Sequence, residues 1–118
     1  MDELNPMPDY RRIYHPGGTY FFTVNLLHRN GNDLLTRHID QLRAAVRKVR
    51  HAHPFSIDGW VVLPEHLHCV IRLPEGDCDF TTRWRLIKAA FSMGLPKTEH
   101  RSEVRQRRGE RGIWQRRF

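Results

Sequence analysis

The sequence predicts an α+β domain in which two helices cover one face of an antiparallel sheet. Apolar residues alternate with polar ones in three short runs, and they recur at helical spacing in two longer runs. The runs follow one another in the order β-α-β-β-α, and residues 113–118 allow a short final strand. This order is typical of the ferredoxin-like arrangement. Because 118 residues suffice for one core, we expect a single domain over residues 1–118.

The first strand is predicted over residues 19–27, ahead of a turn at residues 30–33. Alternation of apolar and polar side chains is typical of a strand with one buried face. The two faces are Tyr20, Phe22, Val24 and Leu26 on the apolar side and Thr23 and Asn25 on the polar side.

The first helix is predicted over residues 37–52, where the period of the apolar residues changes. Thr36 is the expected N-cap, and Pro54 ends the segment. The apolar stripe of this helix consists of Ile39, Leu42, Val46 and Val49.

Two further strands are predicted as a tight antiparallel hairpin. The first of them covers residues 55–63, and only Pro64 and Glu65 separate it from the second. The apolar faces are Phe55, Ile57, Val61 and Leu63 in one strand and Leu67, Cys69, Ile71 and Leu73 in the other.

The second helix is predicted over residues 81–93, with Asp79 as its cap and Gly94 at its end. Its apolar stripe is Phe80, Trp84, Ile87 and Phe91. The basic side chains of this helix are expected to face away from the stripe; they are Arg83, Arg85 and Lys88.

His66 and His68 flank one apolar residue of the third strand. Residues two apart on a strand point to the same face and lie about 6.6 Å apart along the backbone. Two imidazoles at that spacing can close on one metal ion, with each nitrogen at about 2.0–2.1 Å for a zinc-like ion. The residues alone leave two interpretations equally open, a pair of metal ligands or two half-exposed strand histidines.

The composition favours a polyanionic partner in a reducing compartment. The net charge is +7 and the sequence pI is near 10.2. Residues 100–118 contain seven arginines against two glutamates, and arginine suits forked contacts to phosphate. The two cysteines, Cys69 and Cys78, give neither a disulfide framework nor a cysteine-based zinc site. No apolar run has the length of a membrane span, and the first residues do not resemble a signal peptide, so we expect a cytoplasmic protein.

Four stretches of the sequence, taken as a set, are similar to one known family. They are Tyr10-Arg11-Arg12 with residues 17–26, residues 60–69 around Pro64-Glu65-His66-Leu67-His68, residues 73–88, and Gly112-Ile113-Trp114-Gln115-Arg116-Arg117-Phe118. In these stretches the chain resembles the REP-associated tyrosine transposases. These belong to the His-hydrophobic-His single-strand DNA transposases and nucleases.

The resemblance implies a metal-dependent enzyme that cuts and rejoins single-stranded DNA next to short hairpins formed by repetitive palindromic elements. It implies that His66 and His68 bind Mg²⁺ or Mn²⁺ at the scissile phosphate. It also implies a tyrosine that attacks phosphorus and forms a 5′-phosphotyrosyl bond. A bacterial, nucleoid-associated location follows from such a substrate.

In that family the nucleophilic tyrosine follows the Trp-Gln-x-Arg-Phe segment, and the third metal-binding side chain lies one helical turn further on. The chain ends at Phe118, so we expect a scaffold that binds DNA without cleaving it. Tyr10, Tyr14 and Tyr20 do not match the nucleophile. We also expect exposed apolar surface to favour a homodimer or a swapped dimer.

DNA contacts are expected from basic residues beside aromatic ones, an arrangement that suits unpaired bases. The candidates are Arg11, Arg12, Arg83, Arg85, Lys88, Arg116 and Arg117. Two alternatives stay open: a non-catalytic single-stranded nucleic-acid-binding module with the same sheet, and a structural zinc protein. Metal binding separates them, because a zinc site would hold zinc tightly and a plain module would ignore metal.

Overall fold

The computed structural model describes residues 16–96 and 112–116. The predicted order of elements is confirmed in this part of the chain, with one short additional helix before the first predicted one. The elements are β1 (Thr19–Asn25), α1 (Leu34–Arg37), α2 (Ile39–Ala52), β2 (Ser56–Val62), β3 (His66–Arg72) and α3 (Phe80–Met93). None of the helices in the described ranges is long and apolar enough to cross a membrane.

The sheet has the strand order β1-β3-β2, and both neighbouring pairs are antiparallel. β1 and β2 therefore run parallel to each other on either side of β3. The helical segment α1–α2 connects them, which gives the split β-α-β unit of ferredoxin-like folds. The α+β class is confirmed.

The predicted final strand is reduced to one bridge in the described residues. Trp114 pairs with Leu26 at the end of β1 in an antiparallel bridge. Two hydrogen bonds support it: Leu27 N–H donates to the Ile113 carbonyl at 2.9 Å, and Gln115 N–H donates to the Asn25 carbonyl at 2.9 Å. This segment therefore extends the sheet beside β1.

The core lies between the helices and one face of the sheet. Phe22 of β1 is fully buried and contacts the rings of Phe80 and Trp84 at 5.3 and 5.4 Å between centroids. The predicted apolar faces of the first and third strands are fully confirmed as buried. They are Tyr20, Phe22, Val24 and Leu26 in and after β1, and Leu67, Cys69, Ile71 and Leu73 in and after β3. The opposite face of β1 and β3 does not contribute to this core.

In β2, the prediction that Val61 lies on the core face with Ile57 is wrong. The register against β3 shifts between Ile57 and Gly59, so the strand contains one extra residue there. Beyond the shift, Val61 pairs with His68 and its exposure is 57%. The irregularity thereby moves Val61 to the face that carries the histidines.

Thr36 does not cap the first long helix, contrary to the prediction. It lies inside the short helix α1, where its hydroxyl donates to the Asp33 carbonyl at 3.2 Å. α2 begins at Ile39 after His38, whose side chain makes no cap hydrogen bond. The extra turn α1 occupies the place at which the sequence predicts the helix start.

Asp79 caps α3 as predicted, and Gly94 follows its last residue. The Asp79 carboxylate accepts a hydrogen bond from the Thr82 N–H at 3.0 Å. This bond is the main reason that the pKa of Asp79 lies below its ordinary value.

We expect Asp79→Ala to lower the free energy of unfolding by about 1 kcal/mol, because the Thr82 N–H loses its acceptor. Urea denaturation of the variant and of the unmodified chain measures the difference. Glu75→Ala is the control, since Glu75 is an exposed acidic residue just before the same helix. Equal midpoints for Asp79→Ala and the unmodified chain would contradict the role of the cap.

Candidate metal site and nucleic-acid interface

His66 and His68 lie on the same face of β3, as predicted, and away from the core. The intervening Leu67 and the following Cys69 point into the core and are buried. The two imidazole rings are 4.9 Å apart between centroids and nearly perpendicular, at 84°. Burial raises the pKa of Cys69 to about 12, so its thiol stays protonated and is a poor ligand.

The Nδ1 atom of His66 lies 3.0 Å from Oε1 of Glu65. Hydrogen bonds to His66, and then to Arg29, hold the pKa of Glu65 below its ordinary value, so Glu65 is a carboxylate. A carboxylate only accepts, which places the hydrogen of His66 on Nδ1. The other nitrogen, Nε2, then carries the lone pair and is the atom available to a ligand.

The Nδ1 atom of His68 lies 3.0 Å from the hydroxyl oxygen of Thr23, its direct partner on β1. A hydroxyl accepts as readily as it donates, so it allows a hydrogen on Nδ1 and a lone pair on Nε2 here too. On the other side the ring of His68 stacks on Phe21, at 5.7 Å between centroids and 14° between planes. Both histidines are thus oriented through Nδ1, by different partners.

The donor set fits a divalent ion with open coordination positions. Within residues 16–96 and 112–116, no group of three or more histidine, cysteine, aspartate or glutamate residues is arranged to hold a metal. The described residues therefore offer two imidazole nitrogens and no closed four-ligand zinc site. Mg²⁺ and Mn²⁺ both favour oxygen ligands, so water or phosphate oxygens would have to complete the coordination of either ion here.

Apolar side chains border the histidines on the same face. Phe21 lies against the ring of His68 and is 55% exposed. Val61, the partner of His68 on β2, is 57% exposed. An exposed, partly apolar surface beside the two histidines is suited to stack an unpaired base.

Arg83 does not face away from the core, contrary to the prediction. It is 3% exposed, and its Nη2 lies 2.9 Å from the Asp77 carboxylate. Its Nη1 also donates to Asp77 Oδ1 at 3.2 Å, and three further hydrogen bonds go to the backbone carbonyls of His53, Pro54 and Asp79 at 2.8–3.1 Å. These donors are engaged within the protein, so Arg83 fastens α3 to the start of β2 and is unsuited to a phosphate contact.

Of the remaining predicted DNA contacts, three lie within the described residues and three lie outside them. Arg85 and Arg116 are exposed, whereas Lys88 is half-buried and donates to the Gln115 carbonyl at 2.8 Å. Burial lowers the pKa of Lys88 to about 8. The others lie outside the described residues: Arg11, Arg12 and Arg117, with the neighbouring Tyr10 and Tyr14.

Tyr20 is buried in the core and packs on Phe80 at 5.0 Å between ring centroids. Its hydroxyl is therefore poorly placed to attack a DNA phosphate, which agrees with its exclusion on sequence grounds. Sequence reasoning missed two other residues of the site, Thr23 and Arg29. Thr23 contacts His68 from β1, and Arg29 contacts Glu65 from the segment just after β1.

The chain is similar to two curated proteins and to a solved structure, although no protein-family model matches it. It is 48% identical over 112 residues to the REP-associated tyrosine transposase of Escherichia coli K12, which covers 95% of this chain and 59% of that protein. A relative of the same family name from Haemophilus influenzae is 38% identical over 113 residues, covering 95% and 64%. The solved structure is of a REP-associated tyrosine transposase bound to a REP hairpin, with a TM-score of 0.74, 48% identity, and coverage of 95% and 59%. The chain thus spans about three fifths of the length of these relatives.

Proposed function

We propose that this chain belongs, over the length it spans, to the REP-associated tyrosine transposases, and that it binds hairpin DNA and holds a divalent ion for strand cleavage and joining. The substrate proposed is single-stranded DNA beside a short imperfect hairpin. The observation that carries the proposal is the pair of oriented histidines, each with Nδ1 engaged and Nε2 left for a ligand.

In this proposal His66 and His68 would hold Mn²⁺ or Mg²⁺ through their Nε2 atoms. When bound, the ion acts as a Lewis acid on the scissile phosphate. Glu65 accepts the Nδ1 hydrogen of His66, the Thr23 hydroxyl is able to accept that of His68, and these two contacts keep both rings turned toward the site. Phe21 and Val61 offer an apolar surface for the base next to the phosphate.

The covalent step requires a tyrosine hydroxyl, which by the family's pattern follows the Trp-Gln-x-Arg-Phe segment. Its oxygen bonds to phosphorus, its proton leaves, and the bond from phosphorus to the 3′ oxygen breaks to release a 3′-OH. The phosphotyrosyl bond keeps the phosphoryl group activated, so a second 3′-OH can reverse the step and join strands.

The proposal is tested by mixing the full chain with end-labelled hairpin DNA that carries single-stranded flanks, with and without Mn²⁺. We expect a mobility shift on a native gel that a scrambled, unpaired strand of equal length does not compete away. The absence of any shift would overturn the proposed DNA binding. A denaturing gel of the same samples reads covalent adducts, and the Tyr20→Phe variant checks that Tyr20 does not form one.

DNA affinity should fall steeply with salt, and Arg85→Ala should reduce the slope of log K against log salt by about one. The reason is that Arg85 is exposed on α3 and is proposed to neutralise one phosphate. Arg47→Ala is the matched control, because Arg47 is an exposed arginine on α2 that the proposal leaves out. Fluorescence anisotropy over a range of KCl concentrations measures both slopes. Equal slopes for the two variants would remove Arg85 from the interface.

A second candidate function, a non-catalytic single-strand-binding module, is favoured by the exposed Phe21 on the sheet face. The two candidates differ in metal dependence, since base stacking on Phe21 needs no ion. If His66→Ala leaves Mn²⁺ binding unchanged while Phe21→Ala abolishes the shift, the second candidate replaces the first.

Both candidate functions place the protein with chromosomal DNA, at the nucleoid. Self-association into a dimer stays a prediction that light scattering measures.

A further inference from the structure

Glu65 contacts two partners, one through each carboxylate oxygen. Oε1 lies 3.0 Å from Nδ1 of His66, and Oε2 accepts hydrogen bonds from Nε and Nη2 of Arg29 at 3.2 and 3.0 Å. The side chain of Glu65 is only 21% exposed. Because each oxygen has its own partner, rotating the carboxylate away from His66 also breaks the pair with Arg29.

The backbone brings Arg29 to this position before any ligand binds. The Leu26 N–H donates to the Glu65 carbonyl at 3.0 Å, so the chain leaving β1 runs beside the turn between β2 and β3. The turn that carries Arg29 is closed by Asn32, whose side chain donates to the His28 carbonyl at 2.7 Å. Gly31 in that turn has φ +70°, a value that glycine adopts without strain.

The two histidines need different support. His68 lies in the ladder between β1 and β2, held by Thr23 and stacked on Phe21. His66 is the first residue of β3, next to the turn, and its polar support is Glu65; Arg29 Nη2 lies farther from Nδ1, at 3.5 Å. Arg29 Nη2 and Nδ1–H are both donors, so the shorter Glu65 contact sets the tautomer and the arginine acts on the carboxylate.

We propose that Arg29 is a positioning residue for the metal site: it locks Glu65 in the rotamer that fixes the His66 ring with Nε2 toward the ion. The inference rests on the proposed function, because it assigns Arg29 and Glu65 to the same site. Outer hydrogen-bond partners of this kind change metal affinity by about 10- to 100-fold when they are removed.

The direction in which Arg29→Ala changes the Mn²⁺ affinity separates a positioning role from a purely electrostatic one. Arg29 is positively charged and lies near the proposed cation, so electrostatics alone predicts that Arg29→Ala tightens Mn²⁺ binding. Positioning predicts the opposite, because the released carboxylate no longer holds the ring. Tighter binding would also result if Glu65, once released, became a ligand itself.

The experiment measures Mn²⁺ affinity of the full chain by calorimetry, and the His66 tautomer of the metal-free chain by ¹⁵N NMR. We expect Glu65→Ala to weaken binding about 10- to 100-fold and Arg29→Ala about 3- to 10-fold. Both variants should raise the fraction of His66 with its hydrogen on Nε2. Arg29→Lys should recover part of the affinity, since lysine still pairs with the carboxylate.

Arg72→Ala is the matched control, because Arg72 is also on this sheet, 53% exposed, and paired with Asp58 at 3.0 Å. It should change Mn²⁺ affinity less than about twofold, as expected for an exposed ion pair remote from the site. Unchanged or tighter binding in Arg29→Ala, with normal binding in the unmodified chain, overturns the positioning role alone. An unmodified chain that does not bind Mn²⁺ at the histidines overturns the proposed function and this inference with it.

Discussion

His66→Ala and His68→Ala should each weaken Mn²⁺ binding by more than about 100-fold, beyond the loss expected for an outer hydrogen-bond partner. Each variant removes one of the two nitrogens proposed to bind the ion. Calorimetry on the full chain measures the affinity directly. Thermal unfolding gives a second measure, because an ion at 100 times its Kd stabilises the folded state by about 2.7 kcal/mol.

The fold should survive both substitutions, because the histidines lie on the sheet face opposite the core. We therefore expect unfolding midpoints in the presence of a chelator to stay close to that of the unmodified chain. His51→Ala is the control, since His51 is an exposed histidine in the last turn of α2. A chain that still binds Mn²⁺ with unchanged affinity after both histidines are replaced would exclude the site.

Arg83→Ala should lower the free energy of unfolding by about 3 kcal/mol, the largest stability effect that we expect from a polar residue. Arg83 is 3% exposed, and its loss removes a hydrogen-bond donor from the Asp77 carboxylate and from three backbone carbonyls. Asp77 Oδ1 still accepts from the Asp79 N–H at 2.8 Å. The Asp77 side chain is 33% exposed and regains some water, which keeps the cost at the low end for a buried pair. Urea unfolding measures the difference, and Arg85→Ala, on the same helix but exposed, should lie within about 0.5 kcal/mol of the unmodified chain.

The contribution of the Arg83–Asp77 pair should also depend on pH. The hydrogen bond from Arg83 lowers the pKa of Asp77 below its ordinary value of 3.8. The stability from the pair is thus present above that value and is lost as the pH falls through the lowered pKa. The difference in the free energy of unfolding between Arg83→Ala and the unmodified chain should therefore become smaller at acid pH. A difference that stays constant from neutral pH to pH values well below 3.8 would assign the effect to packing and backbone contacts.

Local periodicity was sufficient to predict the strands and the histidine pair. Alternation depends on neighbouring residues only, so the facing of His66 and His68 follows once β3 is identified. It failed at Val61, because an extra residue in β2 changes the face and the register against β3 is not visible in β2 alone. It also failed at Thr36, since a separate helical turn precedes α2.

Arg83 shows how residue type can obscure a correct pattern. It follows Phe80 by three positions and precedes Ile87 by four, so helical spacing places it on the apolar face. The charge argued for an exposed side chain, since arginine is rarely buried without a partner. Its partners are Asp77 and carbonyls of the segment before β2, which the helix itself cannot reveal.

The supports of the histidines were beyond the reach of sequence pattern. Thr23 lies 45 residues before His68 and Arg29 lies 36 residues before Glu65. Each contact depends on the pairing of β1 with β3. The order of elements suggests this pairing but does not determine its register. The family resemblance implies the metal-binding role that we propose for the histidines, and the structure adds the groups that contact their Nδ1 atoms.

The position of β3 in the middle of the sheet has a consequence for how the site moves. Its backbone is paired on both edges, with β1 on one side and β2 on the other. The amides of such a strand exchange with solvent only when the whole sheet opens. The donor geometry around His66 and His68 should therefore persist until global unfolding, and an arriving ion should need little reordering of the main chain. Slow hydrogen–deuterium exchange across β3, against faster exchange at the turn of Arg29, would show which part of the site is rigid and which part adjusts.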